Sequence, residues 1–118
     1  MIGAKAQHDE LMNTRLPPEE VAKLINDGAL VVDVRTKIEA RMGIAPGATN
    51  ISLFTLRRRL DELPRNRNIV LYCGTGARAG KAKQVLEAAG FKAFNGGAYT
   101  TILEILEQQT ARRGTDPG

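Results

Sequence analysis

A chain of 118 residues and 12.8 kDa, with 42% hydrophobic and 25% charged residues, has the length of one domain and enough apolar matter for a packed core, which excludes disorder over most of its length. Its one cysteine, Cys73, excludes an internal disulfide, a dithiol redox pair and a multi-cysteine zinc site, and its one histidine, His8, stands near the N-terminus, away from any Cys-His or Ser-His-Asp arrangement unless it folds back. Lys and Arg number 17 against 13 Asp and Glu, and this +4 balance suits a small anion better than nucleic acid, because aromatics are only 4% of the chain.

In chain order, residues 1–10 are small and polar and read as a loose end, with an ordered core over about 11–110 and a second loose end at 114–118. The segment MIGAKAQHDE lacks a hydrophobic signal segment, so the chain as given reads as cytoplasmic, or as periplasmic had a leader been removed from it. No apolar run reaches membrane-spanning length, and no membrane partner is expected. Pro17 and Pro18 open a helix with Glu19 and Glu20 in its first turn, Val21, Leu24 and Ile25 as its stripe and Gly28 as its cap. Ala29 to Val34 is a continuous β-branched run, which reads as a strand buried on both faces of a parallel sheet. Pro46-Gly47 marks a turn and Ala48 to Ile51 a short strand.

Ser52 is a fair N-cap for a helix striped by Leu53, Leu56, Leu60 and Leu63 and stopped by Pro64, with Arg57, Arg58, Arg59, Arg65 and Arg67 as a solvated face. Ile69 to Tyr72 is a second buried strand. It leads into Cys73-Gly74-Thr75-Gly76-Ala77-Arg78 and a helix from about Arg78 to Ala89. Phe91 to Phe94 reads as a strand, Asn95-Gly96-Gly97 as a tight turn, and a last helix runs to about Arg113 with Ile102, Ile105 and Leu106 inward. The alternation specifies an α/β domain, one unit over 1–118, with a mostly parallel sheet of about five strands and helices on both faces. Ligands of such sheets bind at the strands' carboxyl ends, where Asp33, Arg35 and Cys73 stand.

The segment from Ile69 to Arg78 carries the chemistry. A strand delivers Cys73 to the sheet edge, and Gly74 and Gly76 let the next turn wrap tightly around the sulfur with N–H groups inward. The loop then enters a helix N-terminus, and Arg78 adds a full positive charge. All three effects favour an anion at the loop's centre, and the first such anion is the thiolate of Cys73, a nucleophile. As an isolated observation, a cysteine at a strand end is more often a small buried hydrophobe. The flanking glycines and Arg78 tip the balance toward chemistry.

Two reactions use such a loop: thiolate attack on phosphorus, giving a phosphocysteine, and thiolate attack on sulfane sulfur, giving a persulfide. Four residues separate Cys73 from Arg78. The cysteine-dependent phosphatase pattern has one residue more, and a shorter ring suits the smaller guest. No aspartate lies in or just after the loop to act as a general acid, and Asp61, Glu62 and Glu87 sit in or beside predicted helices. Sulfite is a good leaving group and needs none.

These blocks resemble a single-domain rhodanese, a thiosulfate sulfurtransferase, over about residues 17–102, and within that family the small phage-shock-type members. The resemblance rests on LVVDVRT (30–36), IAPGATNIS (44–52), IVLYCGTGARAGKAKQVLEAAGF (69–91) and FNGGAYT (94–100), in the family's order. It implies a rhodanese-like fold in which Cys73 carries the persulfide and the N–H groups of Gly74, Thr75, Gly76, Ala77 and Arg78 stabilise it, with Arg78 on the sulfonate end of a donor. It implies that Asp33 orders the turn near Gly47 rather than touching substrate, and that Arg35 either pairs structurally, the favoured role, or lines the pocket.

The implied activity moves sulfur from thiosulfate to cyanide, a thiol or a protein acceptor, without cofactor or metal, and a monomer is the default expectation because the sequence identifies no exposed apolar patch. The chain departs from the family at Ile44 and Ala45, where a histidine is common, at Ala40 after Glu39, where an aromatic is common, and near Thr101, where a tryptophan is common. The start of the loop is similar to that of mercaptopyruvate sulfurtransferases, which end it in a hydroxyl residue rather than Arg78. The alternatives are a non-catalytic sulfur carrier and, behind it, a phosphatase or arsenate reductase.

Overall fold

A computed structural model describes residues 14–115 of the chain. The loose end expected at 1–10, His8, and positions 116–118 of the expected C-terminal tail lie outside these residues. Helix α1 spans Pro18–Asn26, strand β1 Leu30–Asp33, helix α2 Lys37–Arg41 and strand β2 Thr49–Asn50. Strand β3 covers Ile69–Cys73, helix α3 Ala77–Ala88, strand β4 Ala93–Ala98 and helix α4 Tyr99–Thr115. The four strands form one sheet in the order β2-β1-β3-β4, every pairing parallel, and they account for most of the roughly five expected. None of the described helices is long and apolar enough to cross a membrane.

The alternation of side chains along the central strands divides the core in two. Val32, Ile69, Leu71 and Cys73 face one layer, packed against Leu56, Leu63 and the Ala79, Ala82, Leu86 face of α3. Val31, Val70 and Tyr72 face the other, packed against Val21 of α1 and Ile102 and Ile105 of α4. The central strands are therefore buried on both faces, as their unbroken β-branched sequence requires. Each fully buried residue such as Ile69, Leu71 or Leu86 contributes about 1.5–3 kcal/mol relative to exposure. α1 starts at Pro18 and ends where Gly28, at φ 102°, donates to Ile25 O at 3.1 Å, the turn expected there.

Three segments differ from expectation. The helix expected over 52–63 is a pair of 3₁₀ turns, Leu56–Arg58 and Leu60–Glu62. Leu53 N–H donates to Val34 O at 3.0 Å and Phe54 N–H to Ser52 Oγ at 3.1 Å, so the start of the segment is tethered in a turn. Arg59, at φ −124°, then breaks the run. Leu56 and Leu63 still reach the core, so the leucine stripe is satisfied without α-helical hydrogen bonds.

Asn95-Gly96-Gly97 is not a turn but the middle of β4. Leu71 pairs with Asn95 while Cys73 pairs with Ala98, an extra residue on β4 that makes a bulge beside the loop after Cys73. A Cβ on Gly96 would stand 2.6 Å from Val70 Cγ1 and 3.0 Å from Leu71 O, so only glycine lets the strands approach this closely. Finally, α2 forms in a stretch for which the sequence analysis gives no element. Its signal is a capping box: Glu39 N–H donates to Thr36 Oγ1 at 3.3 Å and Thr36 N–H to Glu39 Oε1 at 3.1 Å.

Candidate active site

β3 ends at Cys73, which is fully buried against the core face that holds Val32 and Val34. Beyond it the chain turns over the sulfur: Gly74, Thr75 and Ala77 are exposed, while Gly76 is buried. The Gly76 N–H donates to Cys73 Sγ at 2.9 Å. Gly76 adopts φ 102°, a left-handed conformation, and is the N-cap of α3. Its carbonyl accepts from Gly80 N–H at 3.0 Å and from the buried Asn95 side chain at 3.0 Å. One glycine thus points its donor at the sulfur and its acceptor into the helix and β4.

The five N–H groups expected to serve the sulfur do not act alike. Gly76 N–H reaches it, whereas Ala77 N–H donates to Thr75 Oγ1 at 3.4 Å. Burial of Cys73 by itself fits an ordinary core cysteine. The inward N–H, the left-handed glycine and the helix N-terminus distinguish it, because together they place positive potential at the sulfur.

Arg78, on the first turn of α3, reaches back across the loop mouth, and its Nη2 lies 3.5 Å from where a Cβ on Gly74 would stand. Its guanidinium forms a two-point pair with Glu39, Nη1 to Oε1 at 2.7 Å and Nη2 to Oε2 at 3.0 Å. Thr36 holds the same carboxylate from behind through its N–H and its hydroxyl, at 3.1 and 3.0 Å. The Arg78 hydrogen bonds, followed by the Thr36 N–H, pull the Glu39 carboxyl down to about 2, so it is ionised at any physiological pH. Arg78 is correspondingly held above its ordinary value, chiefly by Glu39.

Asp33 and Arg35 form a separate, buried unit. Arg35 Nη2 lies 2.7 Å from Asp33 Oδ2, and Arg35 Nε donates to Asp33 Oδ1 at 3.0 Å. Arg35 also donates to Gly43 O at 2.6 Å and stacks its guanidinium 4.5 Å from the centroid of Tyr99. Tyr72 donates its hydroxyl proton to Asp33 Oδ2 at 2.9 Å and accepts from Ala45 N–H at 3.0 Å. Burial first, and Asp33 after the opposing pull of the Ala45 N–H, push the Tyr72 hydroxyl up to about 12. Through Tyr72, Asp33 reaches Ala45, whose carbonyl accepts from Ala48 N–H at 3.0 Å to close the turn that contains Gly47, and through Arg35 it reaches Gly43. The Arg35 guanidinium is thus engaged by Asp33, the Gly43 carbonyl and the Tyr99 ring.

The sequence assigns no site role to Glu39, which enters it only beside Ala40, nor to Asn95, Tyr72 or Arg15. Arg15 donates to Thr75 O at 3.3 Å and lies over Gly76 and Gly97. The Thr36-to-Glu39 spacing is a legible capping box, but nothing local announces that its carboxylate meets a guanidinium 39 positions on. Among the described residues no group of three His, Cys, Asp or Glu side chains is placed to hold a metal ion. Two surface grooves, one between α1 and α4 and one between the 3₁₀ turns and α3, are lined by residues other than those of the loop.

Comparison with known proteins bears on this geometry. The family model of the rhodanese-like domain matches residues 17–99. A sulfurtransferase of Allochromatium vinosum is 34% identical over 65 residues, covering 55% of this chain and 61% of that protein. A tRNA sulfurtransferase of Desulfurococcus amylolyticus is 32% identical over 77 residues, covering 65% of this chain and 15% of that protein. The chain thus spans under two thirds of the length of these relatives. Among solved structures, a human single-domain sulfurtransferase superposes with a TM-score of 0.61 at 26% identity, covering 76% of this chain and 95% of that one. The reduced CoADR-RHD of Bacillus anthracis superposes with a TM-score of 0.68 at 28% identity, covering 84% of this chain and 18% of that one.

Proposed function

Because the chain belongs to the rhodanese-like domain family, we propose that it is a sulfurtransferase that carries sulfane sulfur as a persulfide on Cys73, with thiosulfate as donor and cyanide or a thiol as acceptor. The observation that carries this reading is the Gly76 N–H aimed at Cys73 Sγ from the N-cap of α3. A persulfide anion gains from the same donor and helix potential.

The thiolate of Cys73 attacks the outer sulfur of thiosulfate. A sulfur–sulfur bond forms to Sγ as the bond to the sulfonate sulfur breaks, and the electron pair leaves with sulfite. In the second half-reaction the carbon of cyanide attacks the outer persulfide sulfur, thiocyanate departs and the thiolate is restored. The cycle needs no proton donor and no second cysteine, in keeping with a chain that has one.

The phosphatase alternative loses ground on Glu39. It is the carboxylate paired to the loop arginine, and with its carboxyl held down to about 2 it has no proton to give a leaving group. A protein thiol as acceptor is favoured by Ile38, 71% exposed on the helix that carries Glu39, and by Met42, 87% exposed at its C-cap.

Intact mass after incubation with thiosulfate tests the reading. A gain of one sulfur that cyanide removes as thiocyanate, absent in Cys73→Ser, is expected. A stable gain without turnover would make the chain a carrier instead. No gain, with hydrolysis of an aryl phosphate, would overturn the proposal.

A further inference from the structure

The loop arginine does not stand open to a donor. Glu39 covers it with both carboxylate oxygens, at 2.7 and 3.0 Å, and that carboxylate is itself anchored to Thr36. Both side chains are part-exposed, Arg78 at 32% and Glu39 at 39%, so the pair sits in the mouth rather than beneath it. Arg35, a buried guanidinium, is committed to Asp33 and the Gly43 carbonyl. Arg15 is engaged on Thr75 O.

We propose that Glu39 is a specificity-determining residue: its carboxylate is an internal competitor for Arg78, and it penalises donors in proportion to the negative charge they bring to that guanidinium. The proposal rests on the sulfurtransferase reading for its kinetic consequence but not for its binding consequence. Two acceptor atoms in one plane satisfy the outer edge of the guanidinium fork. A sulfonate has the same requirement, so it must displace or share with Glu39, and the displaced carboxylate keeps its charge nearby. For a dianion such as thiosulfate the repulsion is counted twice. For a monoanionic aryl thiosulfonate it is counted once, and a neutral donor is indifferent to it. The capping box raises the cost of displacement, because swinging Glu39 away also gives up its two bonds to Thr36.

Glu39→Gln retains the shape and an oxygen for Thr36 while removing the charge. In the full-length chain, KM for thiosulfate should fall about three- to ten-fold with kcat within about two-fold, the scale of a partly screened charged pair. KM for an aryl thiosulfonate should fall less. Glu39→Asp keeps the charge and should show no such fall, which separates competition from a merely structural role. In parallel, thiosulfate and inorganic sulfate are titrated by calorimetry onto the Cys73→Ser chain with and without Glu39→Gln. Tighter anion binding in the charge-deleted chain is expected.

Equal or weaker anion binding together with an unchanged or raised KM overturns the proposal. Tighter binding in the Cys73→Ser background, with no persulfide formed on Cys73 in the wild-type or Glu39→Gln chain, sustains it while sinking the thiosulfate reading. Should Glu39→Gln fail to fold, the side-chain N–H resonances of Arg78 in the wild-type chain decide the matter. They shift as sulfate displaces the carboxylate, or stay fixed and refute the competition.

Discussion

The hydroxyl of Tyr72 is shared between Asp33 Oδ2, to which it donates at 2.9 Å, and Ala45 N–H, from which it accepts at 3.0 Å. Tyr72 and Cys73 are neighbours on β3 but face opposite layers of the sheet. The strand that presents the sulfur on one face therefore fastens, on the other, Ala45 at the start of the turn through Gly47. Tyr72→Phe leaves the Ala45 N–H and one Asp33 oxygen without this partner, and should cost about 1–3 kcal/mol. Urea unfolding should show the loss as a lower midpoint at unchanged slope, with persulfide formation at saturating donor retained.

Asp33 is fully buried and neutralises Arg35. Asp33→Ala strands a buried guanidinium, a change of about 3–5 kcal/mol. It should lower the melting temperature far more than Tyr72→Phe. A loss no greater than that of Tyr72→Phe would mean that the Gly43 carbonyl and Tyr99 suffice to hold Arg35.

Asn95 is a positioning residue. Its amide donates to Gly76 O at 3.0 Å and its Oδ1 accepts from Gly97 N–H at 2.9 Å, so it ties the bulge of β4 to the glycine that serves the sulfur. Asn95→Ala should speed hydrogen exchange at the Gly76 amide and lower kcat for sulfur transfer about ten-fold, the scale of a misaligned donor. A drop in stability with the Gly76 amide still protected would assign Asn95 to the core alone.

Gly96→Ala places a methyl 2.6 Å from Val70 Cγ1 and 3.0 Å from Leu71 O, and overpacking of this kind costs about 1–3 kcal/mol. The backbone must part where β3 meets β4, two residues before Cys73. Activity should therefore fall along with stability, whereas an alanine at exposed Gly74, where the nearest atom is Arg78 Nη2 at 3.5 Å, should fold normally.

The pH dependence of stability isolates the Glu39 pair. Glu39 titrates at about 2 in the folded chain, below the unfolded value of about 4.3. A group depressed in the native state adds stability that is full above its unfolded value and disappears as pH falls through the folded one. The difference in urea midpoint between wild type and Glu39→Gln should be constant from about pH 5 to 7 and shrink between about pH 4.3 and 2. A difference that does not vary with pH would detach it from the carboxylate's charge.

The sequence by itself determined the parallel α/β layout, the two buried strands and the place of Cys73 and Arg78 at a strand-to-helix junction. These follow from local regularities: unbroken β-branched runs, proline and glycine at helix ends, and glycines around one cysteine. Tertiary structure alone decided what Arg78 faces, because its pairing with Glu39 joins residues 39 positions apart and depends on how α2 packs at the end of β1. It also decided that Gly96 and Gly97 lie in a bulged strand, since their neighbours Val70 and Leu71 come from β3 and no local signal reports them. The leucines of 53–63 went to the core as 3₁₀ turns because burial requires only that they reach the sheet, and tethering to Val34 chose the path. Short-range preference governs which elements form, and contacts distant in sequence govern how charged groups meet at the site they create.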